Sequence, residues 1–220
     1  MERIPEPELM TEAEQARAYA EANFTESNTL FVEQFGRRFP GITPVHILDL
    51  GCGPGDISVR LAQDYAMARV TGVDGSDAML DHARMSSQRA GTTGRVEFIC
   101  KRIQSYESGE VFDAVVSNSL LHHLHDPIDL WESIKRLAAP GATIMVMDLI
   151  RPGSEAAARD LVSSYAGAEP EILRRDFFRS LCAAFSVNEV EAQLNTAGLD
   201  SLSVEVISDR HLLVYGRRMD

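Results

Sequence analysis

The run His46-Ile47-Leu48-Asp49-Leu50-Gly51-Cys52-Gly53-Pro54-Gly55-Asp56 constrains the fold more than any other stretch of the chain. An apolar run ending in an acid, then glycines at alternate positions, reads as the carboxyl end of a buried parallel strand turning sharply into a helix. Glycine tolerates positive φ and lets a ligand approach the backbone closely. The helix that follows presents free N–H groups and a positive dipole end to an anion. About 20 residues on, the separation at which nucleotide folds place a ribose-binding acid, Val70-Thr71-Gly72-Val73-Asp74 reads as a second strand ending in a carboxylate.

The rest of the chain continues the alternation. Strands are expected near 45–50, 69–74, 95–100, 111–117 and 142–148, with helices near 56–66, 77–90 and 127–138. Strand–helix alternation implies an α/β fold, a parallel sheet with helices on both faces. Before it, residues 1–10 contain Pro5, Pro7 and several charges and are expected to fray. Thr11 to about Asn23 reads as a helix in which Thr11 caps and Glu14 completes a capping box. A second helix is expected over Asn28–Phe39, with Leu30, Phe31 and Phe35 at helical spacing. After Arg151-Pro152-Gly153 the alternation stops: 154–185 reads as one or two helices interrupted at Pro170, then a helix over Val187–Thr196 and two strands near 201–207 and 210–216.

A chain of 220 residues suits one domain with a sizeable core. Its net charge of −12 argues against a phosphate-backbone partner, because nucleic-acid binding rests on a basic footprint. Arg174, Arg175 and Arg179 lie close together but read as a solvated helix face. Cys52, Cys100 and Cys182 are far apart with no C-x-x-C, as expected of reduced thiols in a cytoplasmic protein. No run of 18 apolar residues and no signal-peptide pattern occurs, so neither a membrane span nor a membrane partner is expected.

Two ligand classes suit the glycine turn. The dinucleotide fingerprint is G-x-G-x-x-G, but Asp56 stands where its third glycine belongs. The pattern present, Asp49-x-Gly51-x-Gly53-x-Gly55, resembles motif I of the class I S-adenosylmethionine-dependent methyltransferases. Val73-Asp74-Gly75-Ser76-x-x-Met79-Leu80 resembles their second motif, and Phe112-Asp113-Ala114-Val115-Val116-Ser117-Asn118 with Leu121-His122-His123-Leu124 resembles the fourth-strand region of their small-molecule branch. Leu137-Ala138-Ala139-Pro140-Gly141-Ala142 resembles the turn before strand five. These motifs cover roughly residues 45–150 in the family's order.

The resemblance implies a Rossmann-like seven-stranded sheet of order 3-2-1-4-5-7-6, mostly parallel with strand 7 antiparallel. It implies a single domain over 1–220. Within it, 45–150 would hold the cofactor, 1–40 would form a helical cap, and 154–185 a helical insertion on the substrate side. The implied cofactor is S-adenosyl-L-methionine and the implied acceptor a small molecule, with the protein a monomer or homodimer. A non-catalytic cofactor-binding module and a dinucleotide-dependent oxidoreductase are the other readings.

Residue by residue, the resemblance assigns Asp49 to the methionine end of the cofactor, where a buried carboxylate suits a cationic amino group. It assigns Gly51, Cys52, Gly53 and Gly55 to the cofactor turn, Cys52 as a small side chain filling it, and Asp74 to the ribose hydroxyls. Gly75, Ser76 and Met79 would line the adenosine, and Asn118, at the end of the fourth strand, would also contact the cofactor. Asp56 reads as the N-cap of the next helix. The family's adenine-binding acid aligns with Arg102, which cannot accept a hydrogen bond. Adenine would instead stack on Arg102 or meet the backbone of Ile103.

His122-His123-Leu124-His125-Asp126 lacks the spacing of a zinc signature, and no metal is expected. A histidine at the carboxyl edge of the sheet can take a proton or orient an acceptor near neutral pH, so His123, then His122, are the catalytic candidates. Asp148 and Arg151, at the end of the fifth strand, are candidates to line the substrate side. Tyr19, Asn23, Phe24, Tyr165 and Phe177 are candidate lid residues.

Overall fold

The structure is a computed structural model that describes residues 1–9 and 13–219, without the side chains of residues 13 and 14. The capping box expected of Thr11 and Glu14 therefore lies outside the described residues. In chain order the elements are α1 (Ala13–Glu21), α2 (Thr25–Arg38), β1 (His46–Leu50), α3 (Asp56–Asp64), β2 (Arg69–Asp74), α4 (Asp77–Arg89), β3 (Val96–Cys100), β4 (Phe112–Asn118), α5 (Ile128–Leu137), β5 (Ala138–Leu149), α6 (Glu155–Ala166), α7 (Glu171–Ala183), α8 (Val187–Ala197), β6 (Ser203–Val206) and β7 (His211–Arg217).

The strands form one sheet of order β3-β2-β1-β4-β5-β7-β6. Pairs β1–β2, β1–β4, β2–β3 and β4–β5 are parallel, and β7 runs antiparallel to both β5 and β6. Alternate residues of a strand point to opposite faces, and the two cores follow that parity. Leu48, Leu50, Val115, Ile144 and Val146 pack on one face with Trp131, Val190 and Leu194 of α5 and α8. Ile47, Val70, Ala114, Val116, Met145 and Met147 pack on the other with Phe31, Phe35, Ile57 and Leu61 of α2 and α3. Trp131, fully buried, donates its indole N–H to Gln193 at 3.0 Å and so ties α5 to α8. Among the described residues no helix is long and apolar enough to cross a membrane.

Three expectations need correcting. β5 begins at Ala138, not near 142: Ala138 pairs with Phe112, and the register shifts before Thr143 pairs with Ala114. The extra residues pass through Pro140 and through Gly141 at φ 75°. Asp56 is not the N-cap of α3; Gly55 is, at φ 81°, and Asp56 opens the first turn. Residues 1–9 do not fray. Arg3 donates to the carbonyls of Ala183, His122 and Leu124 at 2.6, 3.0 and 2.8 Å and stacks on Phe185. Glu6 accepts from Ser180 at 2.9 Å, and Glu8 pairs with Arg102 at 2.7 Å. The segment is a strap laid across the carboxyl edge of the sheet.

Candidate active site

The ends of β1, β2 and β4 build a cleft from the turn upward. Gly51 and Cys52 donate their N–H groups to the Val73 carbonyl at 2.8 and 3.1 Å. Gly53 donates to Asp74 Oδ2 at 2.9 Å, and Ser76 N–H to Asp74 Oδ1 at 2.8 Å. The turn of β1 is thus stapled to the end of β2. The Gly75 N–H lowers the Asp74 pKa as well, so the carboxylate is held by backbone donors from both strand ends. Burial raises the Asp74 pKa above the ordinary aspartate value, against the pull of its backbone donors. Gly51 holds φ 70°, which favours glycine, and a Cβ there would crowd the Leu120 side chain at 2.7 Å.

Asp49 is 1% exposed and accepts from Ser58 Oγ at 2.6 Å. Burial pushes its pKa up to about 7, because an ion without a cationic partner is costly in such a place.

Asp49, Gly51, Cys52, Gly53, Asp74, Gly75, Ser76, Met79, Arg102, Ile103 and Asn118 all line this one cleft, and His123 stands at its far end. Gly55 stands behind it: a Cβ there would meet Ala83 at 2.8 Å and the Phe98 ring at 2.9 Å, so its place is in the packing of the turn. Leu9 of the strap packs on Gly75, and Glu8 and Leu9 wall the cleft. Burial drives the Cys52 thiol well above its usual range, as suits a filler of the turn rather than a nucleophile.

A second cavity adjoins the first. Tyr19, Phe24, Asn28, Asn118, Ser119 and His123 border both. Ser119 holds φ 57°, an uncommon conformation for a residue with a Cβ, at the point where the two meet. The lid candidates Tyr19, Asn23, Phe24, Tyr165 and Phe177 all line the second cavity, as does His122.

Asp148 and Arg151 line neither cavity. Asp148, 2% exposed, accepts from Leu121 N–H at 2.7 Å and meets His122 Nδ1 at 2.5 Å. Arg151 instead ties the Ala184 carbonyl to Glu189 at 3.2 and 2.8 Å. Arg174, Arg175 and Arg179 pair with Glu171 and Asp176, as a solvated face would.

Burial disfavours a charge on His122, but the Asp148 carboxylate outweighs it and the His122 pKa rises. Burial acts against Asp148 too, and charged His122 outweighs it, so the Asp148 pKa falls. Burial, with charged His122 alongside, lowers His123 to about 3. Its Nδ1 is buried without a hydrogen-bond partner, 3.2 Å from Glu6 Oε1. Burial raises the Glu6 pKa.

Sequence reasoning missed Glu6 altogether. It lies 3.7 Å from His122 Nε2, and Glu6, His122 and His123 bring one potential metal-ligating atom each within 4.8 Å of one another. No sequence signal joins residues so far apart; only the docked strap does.

Sheet order, glycine turn and paired acids are what the resemblance to the class I S-adenosylmethionine-dependent methyltransferases implies for a cofactor-binding domain. Residues 47–141 match the family model described as a methyltransferase domain. A trans-aconitate 2-methyltransferase of Streptomyces coelicolor is 37% identical over 101 residues, 46% of this chain and 33% of that protein. A 27-O-demethylrifamycin SV methyltransferase of Amycolatopsis mediterranei is 29% identical over 191 residues, 85% of this chain and 65% of that protein. The chain thus spans a third and just under two thirds of these relatives. The plantazolicin methyltransferase BpumL in complex with SAH shares the fold at TM-score 0.70 and 18% identity, covering 93% of this chain and 90% of that one. A SAM-dependent methyltransferase from Aquifex aeolicus does so at TM-score 0.67 and 17% identity, covering 94% and 98%.

Proposed function

We propose that the chain transfers the methyl group of S-adenosyl-L-methionine to a small-molecule acceptor. The observation that carries this is the convergence of Asp49, the Gly51–Gly53 turn and Asp74 on one cleft at the carboxyl edge of the sheet. The donor set suits that cofactor. The Asp74 carboxylate, an acceptor at the end of β2, suits a ribose diol, and Asp49, costly to ionise alone, suits an ammonium. Gly75, Ser76, Met79, Arg102 and Ile103 form the adenosine side, Asn118 borders the acceptor side, and Gly55 supports the turn from behind.

When bound, S-adenosylmethionine supplies a methyl group already activated on a sulfonium. The chain's task is then to position the acceptor, exclude water and accommodate its proton. The strap residues Leu9 and Glu8, the helices bearing Tyr19, Tyr165 and Phe177, and Phe24 just ahead of α2 cover the two cavities. His123 is neutral and orients the acceptor; with a pKa near 3 it is a weak base. His122 is held charged by Asp148 and fixes the loop that carries His123. Residues 1–220 act as one domain, 45–150 holding the cofactor and 1–40 and 154–185 forming the cover. The protein works in the cytoplasm as a monomer or homodimer, and its net charge of −12 disfavours a nucleic-acid partner.

Mass spectrometry of the ligand retained on purification, calorimetry with S-adenosylhomocysteine, and a screen for its release over metabolite classes test this reading. Binding followed by release with one class supports it. Binding with no turnover on any class would make the chain a cofactor-binding module, and a retained nicotinamide dinucleotide would make it an oxidoreductase.

A further inference from the structure

The polar wiring between the two cavities narrows the acceptor. Arg60 Nε donates to Asp56 Oδ2 at 2.6 Å, and Asn28 Nδ2 donates to the same oxygen at 2.7 Å. Asn118 Nδ2 donates to Asn28 Oδ1 at 3.3 Å. A carboxylate only accepts. Asn28 must therefore turn its nitrogen to Asp56 and its oxygen to Asn118, and Asn118 must turn its nitrogen to Asn28. The atom left over is Asn118 Oδ1, which is buried without a hydrogen-bond partner at the border of both cavities. A buried acceptor in that state costs free energy until a donor reaches it.

The second cavity, which Asn118 borders, has a definite character. Tyr165, Phe177 and Leu173 supply apolar surface, and Glu26, Glu169 and Asp176 supply carboxylates. Arg210 is spent: its guanidinium lies 3.4 Å from the centre of the Tyr165 ring and binds Asp209 at 3.0 Å. Burial leaves His211 neutral, its pKa lowered to about 4, and His123 is neutral as well. His122 is charged but commits Nδ1 to Asp148 and turns Nε2 toward Glu6. Among the described residues this cavity offers no uncommitted cation, so an anionic guest would be desolvated against carboxylates. Tyr165, Phe177 and Arg210 also lie outside residues 47–141, the part that matches the family.

We propose that the acceptor is an uncharged or cationic small molecule that donates an O–H or N–H to Asn118 Oδ1 and rests its body on Tyr165 and Phe177, and that polycarboxylates are rejected. This rests on the methyl-transfer reading, and the experiment separates the two. Calorimetry first measures S-adenosylhomocysteine binding to the whole chain; its absence would refute the methyl-transfer reading itself. Saturation-transfer NMR on the loaded protein then uses tyramine, phenol and citrate as probes. The expected result is transfer to a phenolic probe, none to citrate at the same concentration, and phenolic affinity weakened about tenfold in Asn118→Ala, a larger loss than that variant shows for S-adenosylhomocysteine. Citrate binding as well as the phenols, no phenolic binding, or an Asn118→Ala protein that loses cofactor affinity instead would overturn it. Should Asn118→Ala fail to fold, Tyr165→Ala and the wild-type phenol-to-citrate ratio decide the same question.

Discussion

Asp148 Oδ1 and His122 Nδ1 lie 2.5 Å apart in a site where both side chains are almost wholly buried. Each shifts the other: the His122 pKa stands above its ordinary value and the Asp148 pKa below. The linkage has a definite sign. The histidine's share of stability is complete below about pH 6.5 and is lost as pH rises through its folded pKa. The aspartate's share is complete above about pH 3.9 and is lost as pH falls through its folded pKa. The pair therefore contributes most between these limits. Asp148→Asn should destabilise by about 3–5 kcal/mol at pH 6, because it leaves a buried charge without its partner. The penalty should shrink toward pH 9, as the imidazole loses its proton on passing through its raised pKa. Urea denaturation at the two pH values measures it, and an equal penalty at both would contradict the charged pair.

Asp74 carries the ribose prediction. A hydrogen bond from a ribose hydroxyl to this carboxylate would be charge-assisted, worth about 1.5–3 kcal/mol. Asp74→Ala should weaken S-adenosylhomocysteine binding at least about tenfold. Since Asp74 also holds Gly53 and Ser76, part of that loss will come from a loosened turn. Asp74→Asn keeps the acceptor for one of those N–H groups and should fall between. Unchanged affinity in a folded alanine variant would remove Asp74 from the site.

Asp49 makes binding depend on pH. Its folded pKa is raised to about 7, so its contribution to stability is complete below about pH 3.9 and is lost as pH rises through 7. An ammonium ligand needs the ionised form. Affinity for S-adenosylhomocysteine should therefore climb from pH 5.5 to pH 7, by at most about tenfold per pH unit for one proton, and level off above. Asp49→Asn should bind more weakly and lose the slope. Calorimetry across that range would show whether the slope belongs to Asp49.

Much of this was legible because the cofactor half of the fold is written locally. Strand, glycine turn and helix follow one another within residues 46–64, and the motif order carried the sheet order with it. What lay hidden was long-range. Pro5, Pro7 and the charges around them look like a fraying end, yet Arg3 caps carbonyls from two distant segments, and no local pattern records that. Arg151 looked like a substrate contact because of its place at a strand end, but Glu189 lies close enough to claim it. Asp148 was placed at the right edge but on the wrong side of His122: it supports the loop from below.

The strap gives a prediction about exchange. Leu9 on Gly75 and Glu8 on Arg102 wall one side of the cofactor cleft, so removing the strap opens that side. Deleting residues 1–9 should leave a folded sheet and speed the release of S-adenosylhomocysteine, with turnover abolished because water then reaches the site. Deleting residues 1–25 should do the same and also remove Tyr19 and Phe24. Stopped-flow release and circular dichroism read the two effects. A truncated protein with full turnover and unchanged release would deny the strap any part in covering the site.

The two histidines should separate by function. His123 reaches both cavities and is neutral, with Nδ1 unpaired beside Glu6. Replacing it should cost turnover on an identified acceptor and spare cofactor affinity. A residue that merely orients the acceptor should cost less than the 10²–10⁴ of a true general base. His122 reaches only the second cavity and is bound to Asp148, so His122→Ala should act mainly through stability, leaving Asp148 buried without its cation. The pH–rate profile separates the roles. A base with a pKa near 3 gives no inflection between pH 5 and 8, whereas a titrating histidine would give one there. An inflection near neutrality that vanishes in His123→Ala would make His123 the base, with a pKa far from the one its surroundings impose in the cofactor-free chain.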